Sequence, residues 1–112
     1  MTFDKQALLQ KLGGDEEFVR SLLGVALRAT SRTPDDLRAA CAVADFESMA
    51  RLAHQVKGTA GDLVAEDLRL RAREAEFAAR SSDPGAVTLN LELADAVEAL
   101  VAELARSVGR AG

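Results

Sequence analysis

Apolar residues recur along most of this chain at the three- to four-residue spacing of an amphipathic α-helix. One such stretch follows Asp15, its expected cap, and has apolar residues at Phe18, Val19, Leu22, Leu23, Ala26 and Leu27. A second runs from Phe46 to about Leu63, and a third from about Ala65 to Arg80. The last runs from Pro84 to about Val108 along a heptad-like seam. Leucines alternate near residue 90 as they do in a strand, but the length of the pattern favours a helix.

Capping residues and glycines mark where the predicted helices begin and end. Thr2 is expected to cap a short first helix that ends at the Gly13-Gly14 pair. The Thr33-Pro34 pair predicts another helix start, with threonine as the cap and proline at the first helical position. Asp45 is expected to cap the helix that begins at Phe46.

Several amphipathic helices joined by short turns predict an all-α fold. We expect an antiparallel up-down four-helix bundle with an additional short N-terminal helix, the helices before Asp45 extending one of the four. The 112 residues are enough for one compact domain and too few for two, so residues 1–112 are predicted to form a single domain. Hydrophobic residues make up 48% but aromatic residues only 4%, which predicts a core of small and aliphatic side chains.

The charge pattern excludes several classes of partner. The formal net charge is −4 and no basic run occurs, so neither nucleic acid nor an anionic membrane is an expected partner. No apolar stretch approaches the roughly 20 residues that span a bilayer. The residues after Met1 lack the basic and apolar regions of a signal peptide. We therefore expect a soluble, cytoplasmic protein.

The thiol and imidazole content predicts no metal site. Cys41 is the single cysteine, which rules out an internal disulfide, and its apolar neighbours predict that it is buried. Zinc needs several converging Cys, His or carboxylate ligands, and the single histidine, His54, has no cysteine near it.

One face of the helix from Phe46 carries an imidazole, a cation and two glycines at positions i, i+3, i+4 and i+7: His54, Lys57, Gly58 and Gly61. On a helical wheel the core face is formed by Met49, Ala53, Val56, Ala60 and Leu63. His54 lies about 130° from the centre of that face, so its imidazole is predicted to face solvent. Ala50 and Glu47 are expected to continue the exposed stripe. Each glycine costs about 1 kcal/mol relative to alanine in a helix, which indicates a need for space.

An exposed imidazole with glycines on the same helix face suits phosphoryl transfer. Neutral imidazole offers a ring nitrogen as a nucleophile, and phosphoryl transfer asks mainly for access and charge stabilisation. Gly58 and Gly61 would clear the approach, and Lys57 would place a positive charge near the phosphoryl oxygens. A packed structural histidine is the alternative, which the helical wheel disfavours. A hydrolase charge relay is poorly supported because no nucleophile can be assigned beside His54.

Residues 53–63, with the sequence AHQVKGTAGDL, closely resemble the signature of histidine-containing phosphotransfer (HPt) domains. The flanking segments 12–17 and 44–46 resemble turns of the same family. The resemblance implies a four-helix bundle that acts as an intermediate in a multistep phosphorelay of two-component signal transduction. His54 would become a phosphohistidine, taking its phosphoryl group from a receiver-domain aspartate and passing it to another receiver.

The resemblance also implies roles for the neighbouring residues and for the partners. Lys57 would lie beside the phosphohistidine, Gly58 would leave room for the phosphoryl group, and Gln55 would give polar support or contact a partner. Members of the family are phosphocarriers without autokinase activity, so no enzyme activity is expected. The chain needs no cofactor, because Mg²⁺ belongs to the receiver domain. The expected partners are response-regulator receiver domains and a hybrid or cognate histidine kinase.

Two positions depart from the family pattern: Asp62 stands where asparagine is usual, and Val64 stands where glycine is usual. Two other functions stay open. One is a non-catalytic helical adaptor that binds a signalling partner through the same surface, and the other is a small dimeric structural bundle in which His54 is incidental. A monomer is favoured because the core can be satisfied within one chain.

Overall fold

A computed structural model describes residues 2–109 of the chain, and this part contains six α-helices and no strand. The helices are α1 (Lys5–Lys11), α2 (Glu16–Thr30), α3 (Thr33–Ala42), α4 (Phe46–Asp62), α5 (Glu66–Arg80) and α6 (Ala86–Gly109). The all-α prediction is confirmed. The leucines that alternate near residue 90 lie within α6, because the longer helical period decides the structure there.

Two of the predicted caps are found where the sequence placed them. The carboxylate of Asp15 accepts the backbone N–H of Phe18, and that of Asp45 accepts the backbone N–H of Ser48. The Gly13-Gly14 pair after α1 has φ values of 73° and 82°, which glycine adopts without steric cost. The turn before α2 is therefore built by residue types that its backbone requires.

Two other caps were predicted wrongly. The cap of α1 is Asp4, whose carboxylate accepts two backbone N–H groups, whereas the N–H of Thr2 donates to the carboxylate of Glu103 on α6. Thr33 is the first residue of α3 and is buried, and Arg32 before it gives no side-chain cap. In both places a tertiary contact or burial takes precedence over the local capping preference.

Helix α6 packs against α2, α3, α4 and α5, and α4 packs closely along α5. The core face predicted for α4 is confirmed, since each of its members is at most 1% exposed: Met49, Ala53, Val56, Ala60 and Leu63. The prediction for Ala50 was wrong, because this residue is buried in a cluster with Ala78 and Ala79 of α5. Alanines from both helices widen the buried face of α4 beyond what its own wheel indicates.

The α4–α5 turn contains the second departure from the family pattern. Val64 has a φ of 55°, in the left-handed region where a β-branched residue is rarely found. The turn is closed by the N–H of Ala65, which donates to the carbonyl of Ala60 at 2.8 Å. A left-handed residue just after a helix is normally glycine, so Val64 adopts at some cost the conformation that a glycine would adopt freely.

Buried alanines let α5 approach α4, and a polar contact holds α5 on its other side. The side-chain amide of Asn90 on α6 donates to the carbonyl of Ala75 at 3.3 Å and to that of Ala86 at 2.8 Å. Ala75 directly precedes Glu76, so α6 supports α5 next to the residue that faces His54. Within residues 2–109 no helix is long and apolar enough to cross a bilayer.

Candidate functional site

His54 lies on the solvent side of α4, and 61% of its side chain is exposed. Its Nδ1 lies 3.0 Å from Oε2 of Glu76 on α5. An ionised carboxylate can only accept hydrogen bonds, so Nδ1 carries the proton and donates it to Glu76. The lone pair is then on Nε2, on the opposite side of the ring from Glu76 and directed away from α5. The contact therefore selects one tautomer and orients the free nitrogen outward.

Glu76 is the centre of the site, although it is largely buried and only 9% of its side chain is exposed. Its carboxylate contacts Nδ1 of His54, Nζ of Lys57 at 2.7 Å, and the guanidinium of Arg80 at 2.8 and 2.9 Å. Burial alone raises the pKa of Glu76, but hydrogen bonds from Lys57 and Arg80 outweigh it and lower the pKa to about 2. Glu76 is therefore a fixed negative charge next to the imidazole.

Lys57 contacts the same carboxylate as His54, one turn further along α4. Its side chain is 31% exposed, and its Nζ reaches His54 through the shared partner Glu76 rather than by direct contact. Arg80 approaches from α5, and its side chain is 58% exposed. Two cations therefore flank the imidazole and balance the buried carboxylate, with part of each open to solvent.

Gly58 lies in open space, one turn from His54. A Cβ placed at this position would meet no atom within 4 Å, so packing within the chain does not require a glycine here. A Cβ at Gly61 would lie 3.9 Å from Cδ of Arg69, which is an ordinary contact. A side chain at position 58 would therefore obstruct only a molecule that approaches from outside the chain. This holds less strictly at position 61, where the side chain would contact Arg69.

Gln55 is exposed and lies on the other flank of α4 from Glu76. It lines a groove of about 460 Å³ between α4 and the junction of α2 and α3, together with Ala29, Thr30, Thr33, Val56, Gly58, Thr59 and Asp62. The imidazole donates its hydrogen bond to Glu76 on the α5 side, so this placement suits Gln55 for partner contact rather than for support of the ring. Asp62 borders the same groove, away from the buried carboxylate.

Helix α2 leads into this groove with an exposed apolar stripe. Phe18 is 55% exposed and Val25 is 54% exposed, and their spacing of seven residues places them on one face. Ala29, one turn beyond Val25, lines the groove itself. Leu8 of α1, in contrast, is fully buried and belongs to the core. An open apolar surface therefore extends from the groove beside Gly58 along α2.

Sequence reasoning missed Glu76 and Arg80. Glu76 shares the inward face of α5 with Ala72, Ala75 and Ala79, all buried. A carboxylate on such a face is rare unless it has partners, and this was the available signal. The partners themselves could not be read from the sequence, because the contact with His54 depends on how α4 and α5 are aligned. No group of three or more potential metal ligands occurs in the described part of the chain.

Comparison with protein families gives one match. A family model described as Hpt domain matches residues 21–107, a range that includes α3, α4 and α5 completely and most of α2 and α6. His54 and its contacts with Glu76, Lys57 and Arg80 all lie within the matched range. Searches of curated proteins and of solved structures give no match.

Proposed function

The chain belongs to the Hpt domain family, and on that premise we propose that it is a phosphocarrier of a two-component phosphorelay. His54 takes a phosphoryl group from an aspartyl phosphate on one receiver domain and passes it to an aspartate on another. The observation that carries the proposal is the exposed imidazole whose Nδ1 is held by the buried carboxylate of Glu76, which leaves Nε2 free.

The transfer needs no reactant other than the imidazole and the aspartyl phosphate. The Nε2 lone pair of His54 attacks phosphorus, and the bond between phosphorus and the aspartyl oxygen breaks, so that the aspartate leaves as a carboxylate. The ring becomes a phosphorylated imidazolium that keeps its proton on Nδ1. Glu76 accepts the hydrogen bond from that proton throughout, and its negative charge stabilises the positive ring. Onward transfer is the reverse step with a second receiver.

The cations and Gly58 support the same step. Lys57 and Arg80 are each partly exposed, so both can turn toward phosphoryl oxygens while Glu76 holds the ring. Gly58 offers no side chain to an approaching receiver domain, since a Cβ there would project into open space. Access at Nε2 and positive charge beside it are the two requirements of an in-line phosphoryl transfer.

The receiver is proposed to dock on the α2 flank of α4. Gly58, one turn from His54, and Gln55, next to it in sequence, both line the groove on this flank. The apolar stripe of Phe18 and Val25 on α2 continues this surface and would be covered in the complex. Exposed apolar patches of this kind are typical of protein-binding surfaces.

Several further features belong to the proposal. The four-helix core would have the up-and-down arrangement, with α1 as the additional short helix. The chain has no autokinase activity and binds no cofactor, and Mg²⁺ is supplied by the receiver. Its partners are receiver domains and the hybrid or cognate kinase that feeds them, and it acts with them in the cytoplasm.

The proposal is tested with a receiver domain that has been phosphorylated on its aspartate with labelled phosphate. Incubation with the wild-type chain should transfer the label, and the product should be labile in acid and stable in base. His54→Gln should abolish the transfer while helical circular dichroism stays unchanged, because the side chain is exposed. Label that persists in this variant would overturn the assignment.

The same experiment separates the phosphocarrier from a non-catalytic adaptor. An adaptor would bind the receiver domain with the same affinity in the wild type and in His54→Gln, and neither protein would take up label. Binding is measured by titration calorimetry alongside the labelling reaction. A wild-type chain that binds receivers and never accepts phosphate would replace the proposal by the adaptor function.

A further inference from the structure

Asn90 is a polar side chain within an apolar core. It lies on α6 and is completely buried, and its neighbours on the same face of that helix are Leu93, Ala94 and Val97. Its Nδ2 donates to two carbonyls, but its Oδ1 has no hydrogen-bond partner. A buried acceptor without a partner lowers the stability of a fold, and an apolar side chain would avoid that cost. Core stability therefore does not account for an amide at this position.

The two hydrogen bonds of Asn90 connect α6 with α5. Nδ2 lies 2.8 Å from the carbonyl of Ala86 on α6 itself, which holds the side-chain rotamer, and 3.3 Å from the carbonyl of Ala75 on α5. An amide nitrogen has two N–H donors, so both bonds can form at once, whereas the reverse orientation would place the amide oxygen against two acceptors. A buried amide of this kind specifies how helices align more than it increases stability.

The apolar packing of α5 leaves its exact position weakly specified. Its buried apolar residues are one leucine in the first turn and four alanines: Leu68, Ala72, Ala75, Ala78 and Ala79. The leucine lies eight residues before Glu76, a distance of about 12 Å along the helix axis. Methyl groups form shallow ridges, so they resist a small rotation or slide of this part of α5 less than large interlocking side chains would. The contact with Asn90 lies where the apolar packing specifies least.

The site on α4 depends on the position of this part of α5. Glu76, the residue after Ala75, is contacted from α4 by Nδ1 of His54 at 3.0 Å and by Nζ of Lys57 at 2.7 Å. Hydrogen bonds from nitrogen donors span only about 2.7–3.2 Å, and one residue of a helix corresponds to about 1.5 Å and 100°. A displacement by a fraction of one residue would therefore break these contacts.

We propose that Asn90 is a positioning residue of the site: it fixes α5 against α6 and thereby places the carboxylate of Glu76 opposite His54. It acts through the backbone of α5 rather than on the imidazole itself. Its effect on the rate of transfer rests on the proposed function, but its effect on the tautomer of His54 does not. A chain that proved to be an adaptor would still show the change in tautomer.

The first experiment records the ¹⁵N chemical shifts of the imidazole in the full chain, in mildly alkaline buffer that keeps the ring neutral. His54 is the only histidine, so its signals are unambiguous. The wild type should carry the proton on Nδ1, while Asn90→Leu and Asn90→Ala should both show a mixture of tautomers. Asn90→Ala gives the answer if the larger leucine prevents folding. Retention of the wild-type tautomer in the folded variants would overturn the proposal.

A matched control separates positioning from a general loss of packing. Val97→Ala shortens a completely buried side chain two turns further along the same face of α6 and removes no hydrogen bond. It should lower the denaturation midpoint and leave the tautomer of His54 unchanged. Asn90→Leu should do the opposite, with a midpoint near or above that of the wild type and a changed tautomer. Equal changes of tautomer in Val97→Ala and Asn90→Ala would mean that Asn90 has no specific role.

The rate of label transfer from a phosphorylated receiver domain gives the functional readout. Both Asn90 variants should accept the label at least about 10-fold more slowly than the wild type, because a misplacement of about 1 Å can cost roughly 100-fold. Val97→Ala should transfer at the wild-type rate. Wild-type rates in both Asn90 variants would contradict a positioning role in transfer. If the wild type itself accepts no label, the proposed function fails, and the tautomer measurement still tests Asn90.

Discussion

The two flanks of α4 differ in what they offer to His54. On the α5 flank the ring contacts a buried carboxylate that is also ion-paired with the partly exposed side chains of Lys57 and Arg80. On the α2 flank there is an open groove, a glycine without neighbours and an exposed apolar stripe. A reactive side chain on the surface of a bundle can thus be held by a neighbouring helix on one side and stay open to a partner on the other.

The largest expected effect on the rate of phosphotransfer comes from removing the carboxylate that holds the ring. Glu76→Ala takes away the acceptor of the Nδ1 proton, so the imidazole loses its orientation and its preferred tautomer. Misplacement of a reacting group by about 1 Å can cost roughly 100-fold in rate, and we expect a decrease of that order in phosphotransfer. The measurement is the rate of label transfer from a phosphorylated receiver, together with ¹⁵N chemical shifts of the ring, which should show a mixture of tautomers.

Two variants make the result for Glu76 specific. Glu76→Gln retains a carbonyl oxygen that can accept the Nδ1 proton, so it should recover part of the rate lost in the alanine variant. Glu74→Ala removes an exposed carboxylate two residues away and should transfer at the wild-type rate. If the alanine variant keeps the wild-type rate and tautomer, Glu76 does not orient the ring.

At Gly58, on the open flank, the rate of transfer is expected to depend on the size of the side chain. Gly58→Leu places a branched side chain in the approach to Nε2 and should slow transfer roughly 10-fold, while Gly58→Ala should have a smaller effect. Since a Cβ at this position meets nothing in the chain, both variants should fold at least as stably as the wild type. Thermal unfolding and transfer rates are measured side by side, and a rate independent of side-chain size would show that Gly58 does not serve access.

A smaller effect should distinguish the two exposed apolar surfaces. Val25→Asp introduces a charge into the stripe that is proposed to contact the receiver and should weaken receiver binding several-fold. Leu70→Asp makes the same chemical change at a leucine that is 44% exposed on α5 and should leave receiver binding unchanged. Titration calorimetry with one receiver domain compares them. A stronger effect of Leu70→Asp would move the docking surface to the α5 flank.

The smallest expected effect lies at the end of α4, beyond both flanks. Val64→Gly relieves a β-branched residue of a left-handed conformation and should stabilise the fold by up to about 1 kcal/mol. Ala44→Gly, at a φ of 51°, should gain less because alanine has no branched side chain. The measurement is chemical denaturation, with phosphotransfer unchanged in both variants. Destabilisation by the glycine would mean that packing of Val64 outweighs its strain.

Local sequence signals predicted much of the α4 side of the site. The periodicity of α4 gave its bounds to within a residue and the exposure of His54. The residue types at the helix starts gave the caps Asp15 of α2 and Asp45 of α4. These features depend on residues within a turn or two of each other, which a helical wheel describes well. The helical wheel of α4 does not predict the burial of Ala50, because that burial is caused by alanines of α5.

The α5 side of the site could not be predicted, because it depends on contacts between helices that are distant in sequence. Glu76 lies 22 residues from His54, and the 3.0 Å contact between them exists only because α4 and α5 align in one register. Thr2 and Thr33 were assigned as caps although a contact with α6 and burial of α3 decide those positions. Interactions between helices, rather than within them, account for these differences.

The low pKa of Glu76 has a consequence for behaviour in acid. A carboxyl group that is more acidic in the folded chain than in the unfolded chain stabilises the fold above about pH 4.5, and this contribution is lost as the pH falls toward 2. Between neutral and mildly acidic conditions the group keeps the same charge. Any inflection in a pH–rate profile above pH 5 must therefore come from groups other than Glu76.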